Sequence, residues 1–312
     1  MIESLCLRPV CLPLSGLFCT RTRASMRLLH TFPSPHSLPP PVEPPASALS
    51  RNPRPSLCFH CGNVFGTEGC GNSVDRRSPV LQGSCYHDTH AVFAASLREL
   101  GVEQVDLALL HAPPCVPGAN WVHECMGNPA ADLVYPNGLD CTAEVPCRMM
   151  QEQWKALEEV YASGKTRSIG VSNYCSACLA CLAKTATVTP HVNQFQLHAG
   201  MPGADPQGLV SATERYGTVV QAYRPLAHGE GSLLHDPTMK AIGRAHGKSA
   251  VQVALRWVLQ NGHAVVTSTE NPAHMRSDLE VYDWSIDESE MRTLERLATS
   301  PDDPTSGMCR HH

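Results

Sequence analysis

A chain of 312 residues is long enough for one large domain with a full core, or for a smaller domain carrying tails. Hydrophobic residues make up 42%, the formal net charge is -5 and no run of like charge occurs, which argues against a nucleic-acid footprint or a basic membrane patch and for a small-molecule partner. No apolar run approaches the ~20 residues that span a bilayer, and the longest candidate, LCLRPVCLPLSGLFC, is broken by Arg8, Pro9 and Pro13.

Residues 1–56 hold 11 of the 26 prolines and no periodic apolar pattern, the composition of a disordered leader or linker. Arg8, Arg21, Arg23 and Arg27 face one acidic residue, Glu3, within the first 30, as in an organelle transit peptide and equally in a translated leader without function. The expected location is the cytoplasm, or an organelle if residues 1–30 act as a transit peptide. Residues 57–87 are rich in Gly, Cys and Ser and show no convincing strand or helix. Cys58, His60 and Cys61, with Cys70, Cys85 and His87 further on, have two thiols at zinc-ligand spacing, but the second C-x2-C pair is missing, so ordinary thiols and no metal are expected.

Periodic structure is expected over 88–300, with 301–312 a short tail. Val92, Phe93, Ser96, Leu97 and Leu100 form a helical stripe that stops at Gly101. In GVEQVDLALLHAPPC, Val105, Leu107 and Leu109 alternate with their neighbours as in a buried strand ending on His111. A long polar loop to about 147 carries Cys115, Cys125, Cys141 and Cys147, which are candidates to pair as loop staples. Met150, Trp154, Leu157 and Tyr161 then mark a helix stopped by Gly164, followed by the strand TRSIGVSN. Cys175, Cys178 and Cys181 fall along one face of the next helix and read as small packing residues.

The alternation continues through HVNQFQLH, PQGLVSATERYG and TVVQAYRPL, helices near 237–246 and 249–260, the strand HAVVTST and a helix opening at Asn271-Pro272. Repeated strand-then-helix units indicate a parallel sheet covered by helices, with the site at the carboxyl ends of the strands. Those ends offer His111, Ser172, Asn173, Asn193, Gln194, Tyr223 and the turn 267–269. GRAHGKS at 243–249 has its glycines one residue too close for a P-loop, and GEGSLL lacks a third glycine and an adjoining dinucleotide unit.

The segments GVEQVDLALLHAPP, WKALEEVYASGKTRSIGVSNY, VNQFQLH, VVQAYRPL and SAVQVALRWVLQNGHAVVTSTENPAHMRSDLEVYDW together resemble the aldo-keto reductases, in that family's order and spacing. The resemblance implies a (β/α)8 barrel of TIM type that moves hydride between a nicotinamide cofactor, NADPH or NADH, and a small carbonyl substrate. It implies that His111 hydrogen-bonds the carbonyl, that Ser172, Asn173 and Gln194 hold the nicotinamide carboxamide, and that Tyr223 stacks on the ring. Leu226, Ser268, Thr269 and His274 complete the implied cofactor site. The physical demand is independent of ancestry: a flat ring needs a flat apolar partner, and a carboxamide needs fixed donors and acceptors.

Two departures qualify what is carried over. Where the family has Pro-Lys-Ser and an Arg on the 2′-phosphate, this chain has Thr267-Ser268-Thr269 and His274. Hydrogen bonds to charged groups contribute ~1.5–3 kcal/mol each, so little preference between NADPH and NADH is expected. The family's catalytic Asp, Tyr and Lys have no counterpart in residues 1–87, where the first Asp is Asp75, the first Tyr is Tyr86 and no Lys precedes Lys155. The expectation is a barrel lacking about its first three strands, through degeneracy or a misjoined reading frame, with self-association through its open edges. Turnover near background is expected. The alternative is a non-catalytic nicotinamide-binding or interaction protein.

Overall fold

The computed structural model describes residues 57–59, 84–113, 140–229, 232–269, 271–297, 299, 302 and 304–305. Six parallel strands form one sheet in chain order among these residues: β1 Leu57–Phe59, β2 Ala108–Leu110, β3 Ile169–Ser172, β4 Val192–Gln196, β5 Val219–Tyr223 and β6 Ala264–Val265. Parallel neighbours need crossover connections, and helices supply them. They are α1 Ser84–Leu100, α2 Glu144–Ala162, α3 Ser176–Leu182, α4 Leu209–Glu214, α5 Ser232–His235, α6 Pro237–His246 and α7 Ala250–Gln260; α8 Pro272–Asp278 and α9 Glu288–Leu294 follow β6. No helix among the described residues is long and apolar enough to cross a membrane.

Local chemistry explains the boundaries. Helix α1 buries Phe93 and Leu97 and ends at Gly101, whose φ of 63° suits a residue without Cβ; Gly101 and Val102 then donate their N–H groups to the carbonyls of Arg98 and Leu97. Helix α2 buries Met150, Trp154 and Leu157, and the Trp154 indole N–H donates to the carbonyl of Val188 at 3.0 Å. Asp236 accepts from two backbone N–H groups at the start of α6, and Ser249 with Gln252 and Asp287 with Glu290 form capping boxes on α7 and α9. Gly170 in β3 is required by packing, since a Cβ there would lie 2.5 Å from the carbonyl oxygen of Val192.

Two large apolar clusters result among the described residues, with a small third of Cys85 and Met149. One joins α1, α2 and α3 to β2 and β3 through Leu110, Trp154, Ile169 and Leu179. The other joins β4 and β5 to α6, α7 and α9 through Phe195, Val220, Trp257 and Leu294. Glu158 locks the turn between α3 and β4, accepting from the N–H groups of Thr187 and Val188 at 2.6 and 2.8 Å.

Strands β2 to β6 match the five adjacent parallel strands expected over 88–300. The structure corrects the reading of 57–87 twice. Leu57–Phe59 pairs with Ala108–Leu110, and α1 begins at Ser84. A three-residue strand is too short to display alternation, and the first turns of α1 bury Cys85 and Thr89, which do not read as an apolar stripe.

The cysteines are the larger correction. Cys147 lies inside α2, and Cys141 and Cys147 are bridged to Cys178 and Cys181 with Cα separations of 4.9 and 5.6 Å. The α3 cysteines therefore staple α2 and its leading turn to α3. Closing loops of 37 and 34 residues is worth about 4 kcal/mol apiece in the chain-entropy model. Cys115 and Cys125, like His60 and Cys61 of the zinc reading, lie outside the described residues, as does the leader 1–56. The tail is partly docked: Gln196 donates its N–H to the carbonyl of Pro304 at 2.9 Å, and Thr305 is buried.

Candidate active site

The site is built from consecutive strand ends. Leu110 of β2 stands opposite Val171 of β3, and His111 follows it, 4% exposed. Ser172 stands opposite Gln194, which stands opposite Gln221. Paired positions share a face of the sheet, so these residues form one row. The Ser172 hydroxyl donates to the carbonyl oxygen of Gln194 at 2.9 Å, and Gln194 Nε2 donates to Gln221 Oε1 at 2.7 Å.

Asn173 ties this row together. It leaves β3 with φ 59°, a left-handed conformation that Asn tolerates better than most residues. Its backbone N–H donates to the carbonyl of Gln194 at 2.8 Å. Its Nδ2 donates to the main-chain carbonyl of His111 at 3.0 Å and to Ser172 Oγ at 3.1 Å. The Tyr223 hydroxyl, from the end of β5, donates to Asn173 Oδ1 at 2.8 Å. The side chain of one fully buried residue thus links the ends of β2 and β5.

The sequence reading missed Gln221 and Arg224. Gln221 precedes Tyr223 by two positions and shares its face, a polar residue in an otherwise apolar strand. The Arg224 guanidinium lies over the Tyr223 ring, 5.8 Å from the centroid, with Nη1 3.4 Å from Gln196 Oε1. Asn193 was counted among the strand-end residues, and the structure turns it the other way. Its Nδ2 donates to the Tyr174 carbonyl and to Thr213 Oγ1 of α4, because Asn193 and Gln194 are consecutive in a pleated strand and face opposite sides.

Leu226, Ser268, Thr269 and His274 form a separate group on the turns after β5 and β6. Leu226 packs half-buried on the second core. The chain after β6 is held by the Val266 N–H on the Ala222 carbonyl at 2.8 Å; Ser268 is exposed, and Thr269 Oγ1 accepts from the Asn271 N–H at 3.2 Å and lies 3.5 Å from His274 Nδ1. His274 is exposed on α8. Burial raises the Asp278 carboxyl above the usual carboxylate range, and nearby His274 pulls it part of the way back.

Tyr86, the first tyrosine in the chain, sits in the first turn of α1, and its hydroxyl donates to Glu159 of α2 at 2.5 Å. That bond, with burial and the carboxylate charge, pushes the Tyr86 hydroxyl up and makes it a weaker acid. Lys155 belongs to the same helical layer, 3.0 Å from Glu159. Neither residue reaches the strand ends through any contact seen among the described residues.

The family model that matches the chain is that of the aldo/keto reductase family, over residues 70–299. The chain belongs to this family. A Mycobacterium sp. (strain KMS) aldo-keto reductase is 31% identical over 212 residues, covering 68% of this chain and 64% of that protein. Aldose reductase B of Dictyostelium discoideum is 30% identical over 219 residues, covering 70% and 67%. An aldo/keto reductase structure from Brucella melitensis has 28% identity and a TM-score of 0.54, covering 68% of each chain. A silkworm (Bombyx mori) aldo-keto reductase solved with NADPH has 27% identity and a TM-score of 0.53, covering 68% of this chain and 60% of that one. The chain thus spans about 64% of the length of the mycobacterial relative. The parallel α/β architecture is that of the family.

Proposed function

We propose that this aldo/keto reductase binds a nicotinamide dinucleotide, NADPH or NADH, at the row formed by His111, Ser172, Asn173, Gln194 and Tyr223, with a small aldehyde or ketone as the second ligand. The Asn173 bridge between His111 and Tyr223 carries this reading. It gathers an amide, a hydroxyl and a buried aromatic ring at the ends of β3 and β5, the group types that a carboxamide on a flat ring pairs with once their present bonds to one another are exchanged for bonds to the ligand. The silkworm relative, solved with NADPH, supports the cofactor assignment.

When bound, the cofactor supplies hydride; the chain's own residues have to orient the carbonyl and deliver a proton. The His111 imidazole can donate a hydrogen bond that polarises a carbonyl oxygen. The Tyr223 hydroxyl is already committed to Asn173 Oδ1, and the side chains of Gln194, Gln221 and Asn173 are amides that do not release protons at neutral pH. Positioned acid–base catalysis contributes typically ~10²–10⁴-fold, and the described cluster lacks its usual Tyr and Lys. We therefore assign cofactor binding with turnover close to background, which also accommodates a non-catalytic binding role.

Titrating NADPH and NADH against tryptophan fluorescence tests the binding half. Saturable binding lost on Tyr223→Ala supports it. Binding unaffected by that change, or absent in wild type, contradicts it.

A further inference from the structure

Five buried cysteines meet where α2 and its leading turn pack on α3, and they are not equivalent. Cys147–Cys181 is a simple pair. Around Cys141–Cys178 stands a third sulfur: Cys175 Sγ lies 3.5 Å from Cys178 Sγ, and the sulfurs of Cys141, Cys175 and Cys178 all lie within 4.8 Å of one another. The arrangement is built by α3. Cys175 is its N-cap residue in extended conformation and Cys178 its third helical residue, positions whose side chains meet across the first turn. All three are at most 1% exposed, and Cys175 is a thiol.

We infer that Cys141, Cys175 and Cys178 form an internal thiol–disulfide exchange site. With its side chain turned to the far side of Cys178 Sγ, in line with the Cys141–Cys178 bond, the Cys175 thiolate attacks the Cys178 sulfur; a Cys175–Cys178 bond forms as the Cys141–Cys178 bond breaks, and the electron pair leaves on Cys141. The proton lost by Cys175 is balanced by the one Cys141 takes up, so no oxidant or reductant is consumed. The exchange releases the turn before α2 from α3 and moves the bridge within α3, two residues from Asn173. Cys147–Cys181 keeps the two helices joined in either pairing. Among the described residues no third cysteine shares such a cluster with Cys147 and Cys181.

The test is disulfide mapping of the full unreduced chain after several hours at neutral pH, since uncatalysed rearrangement takes minutes to hours. Acid quenching stops exchange by protonating thiols; maleimide labelling in denaturant and mass spectrometry then follow. The expected result is two populations, one with label on Cys175 and a Cys141–Cys178 bridge, the other with label on Cys141 and a Cys175–Cys178 bridge. Cys175→Ser should leave only the first bridge and Cys141→Ser only the second. Label confined to Cys175 in the wild type overturns the inference, and so does full labelling of all five cysteines or stoichiometric zinc or copper held by the three thiols. The wild-type map decides the matter even if a variant fails to fold.

Discussion

Replacing Asn173 with alanine removes three hydrogen bonds and strains the backbone in one step. The Tyr223 hydroxyl loses its acceptor and the His111 carbonyl loses an amide donor, both at positions no more than 4% exposed. A buried polar group left without its partner costs about 1–3 kcal/mol. Alanine at φ 59° adds about 1–2 kcal/mol that asparagine partly avoids and glycine does not incur. The sum is a loss of about 3–8 kcal/mol, toward the lower end if water enters the vacated space. Urea unfolding of wild type, Asn173→Ala and Asn173→Gly should order them by falling midpoint as wild type, Gly, Ala, the last two separated by the backbone contribution alone. Adding Tyr223→Phe to Asn173→Ala should cost less than the two single changes added together, because they share one bond. An Asn173→Ala midpoint within about 0.5 kcal/mol of wild type, the range of an ordinary surface change, or full additivity with Tyr223→Phe, would refute the bridge.

Three further outcomes are expected. Burial lowers the folded pKa of His263, with Asp205 opposing more weakly, so the unfolded chain binds the proton better. Its share of stability is whole above the unfolded value of ~6.5 and is lost as pH falls toward the folded one; His263→Gln should flatten the melting temperature between pH 7.5 and 5.5, and an unchanged slope counts against this. On α8, His274→Arg should restore a charged contact to a 2′-phosphate and tighten NADPH binding ~10- to 150-fold, the equivalent of ~1.5–3 kcal/mol, with NADH unchanged; a strong wild-type preference for NADPH that His274→Ala abolishes would show that the histidine already serves as the clamp. β1 and β6 each have one ladder neighbour among the described residues, so sedimentation should reveal self-association that grows with concentration; a monodisperse monomer with a high, cooperative melt argues otherwise.

The sheet was legible because most strands from β2 to β6 carry apolar residues bounded by turn residues, and several of the helices between them show their own stripe or cap. Ser249 with Gln252 and Asn271-Pro272 declare helix starts that the structure places at the same residues. Candidate site residues were found by the same logic, since polar side chains at strand ends stand out against Ile169, Val171 and Phe195. Facing direction was harder. Asn193 and Gln194 are adjacent polar residues, and which one points at the site depends on the pleat relative to the neighbouring strand. The Asn173–Tyr223 bond joins residues 50 apart and leaves no local trace. The cysteine pairs are long-range for the same reason: spacing along α3 fits packing and bridging equally well, until the start of α2 is set against it.

Oxidation of NADPH by a reactive aldehyde, measured in parallel on the wild type and on His111→Ala, tests the central claim most directly. The cluster at the strand ends is read as keeping its hydrogen-bonding row while lacking a poised proton donor, so the wild type should run hardly above the uncatalysed rate and the substitution should change it little. Wild-type turnover in the ordinary enzymatic range of roughly 1–10³ s⁻¹, collapsing in His111→Ala, would contradict the account and establish that the chain holds an acid within reach of His111.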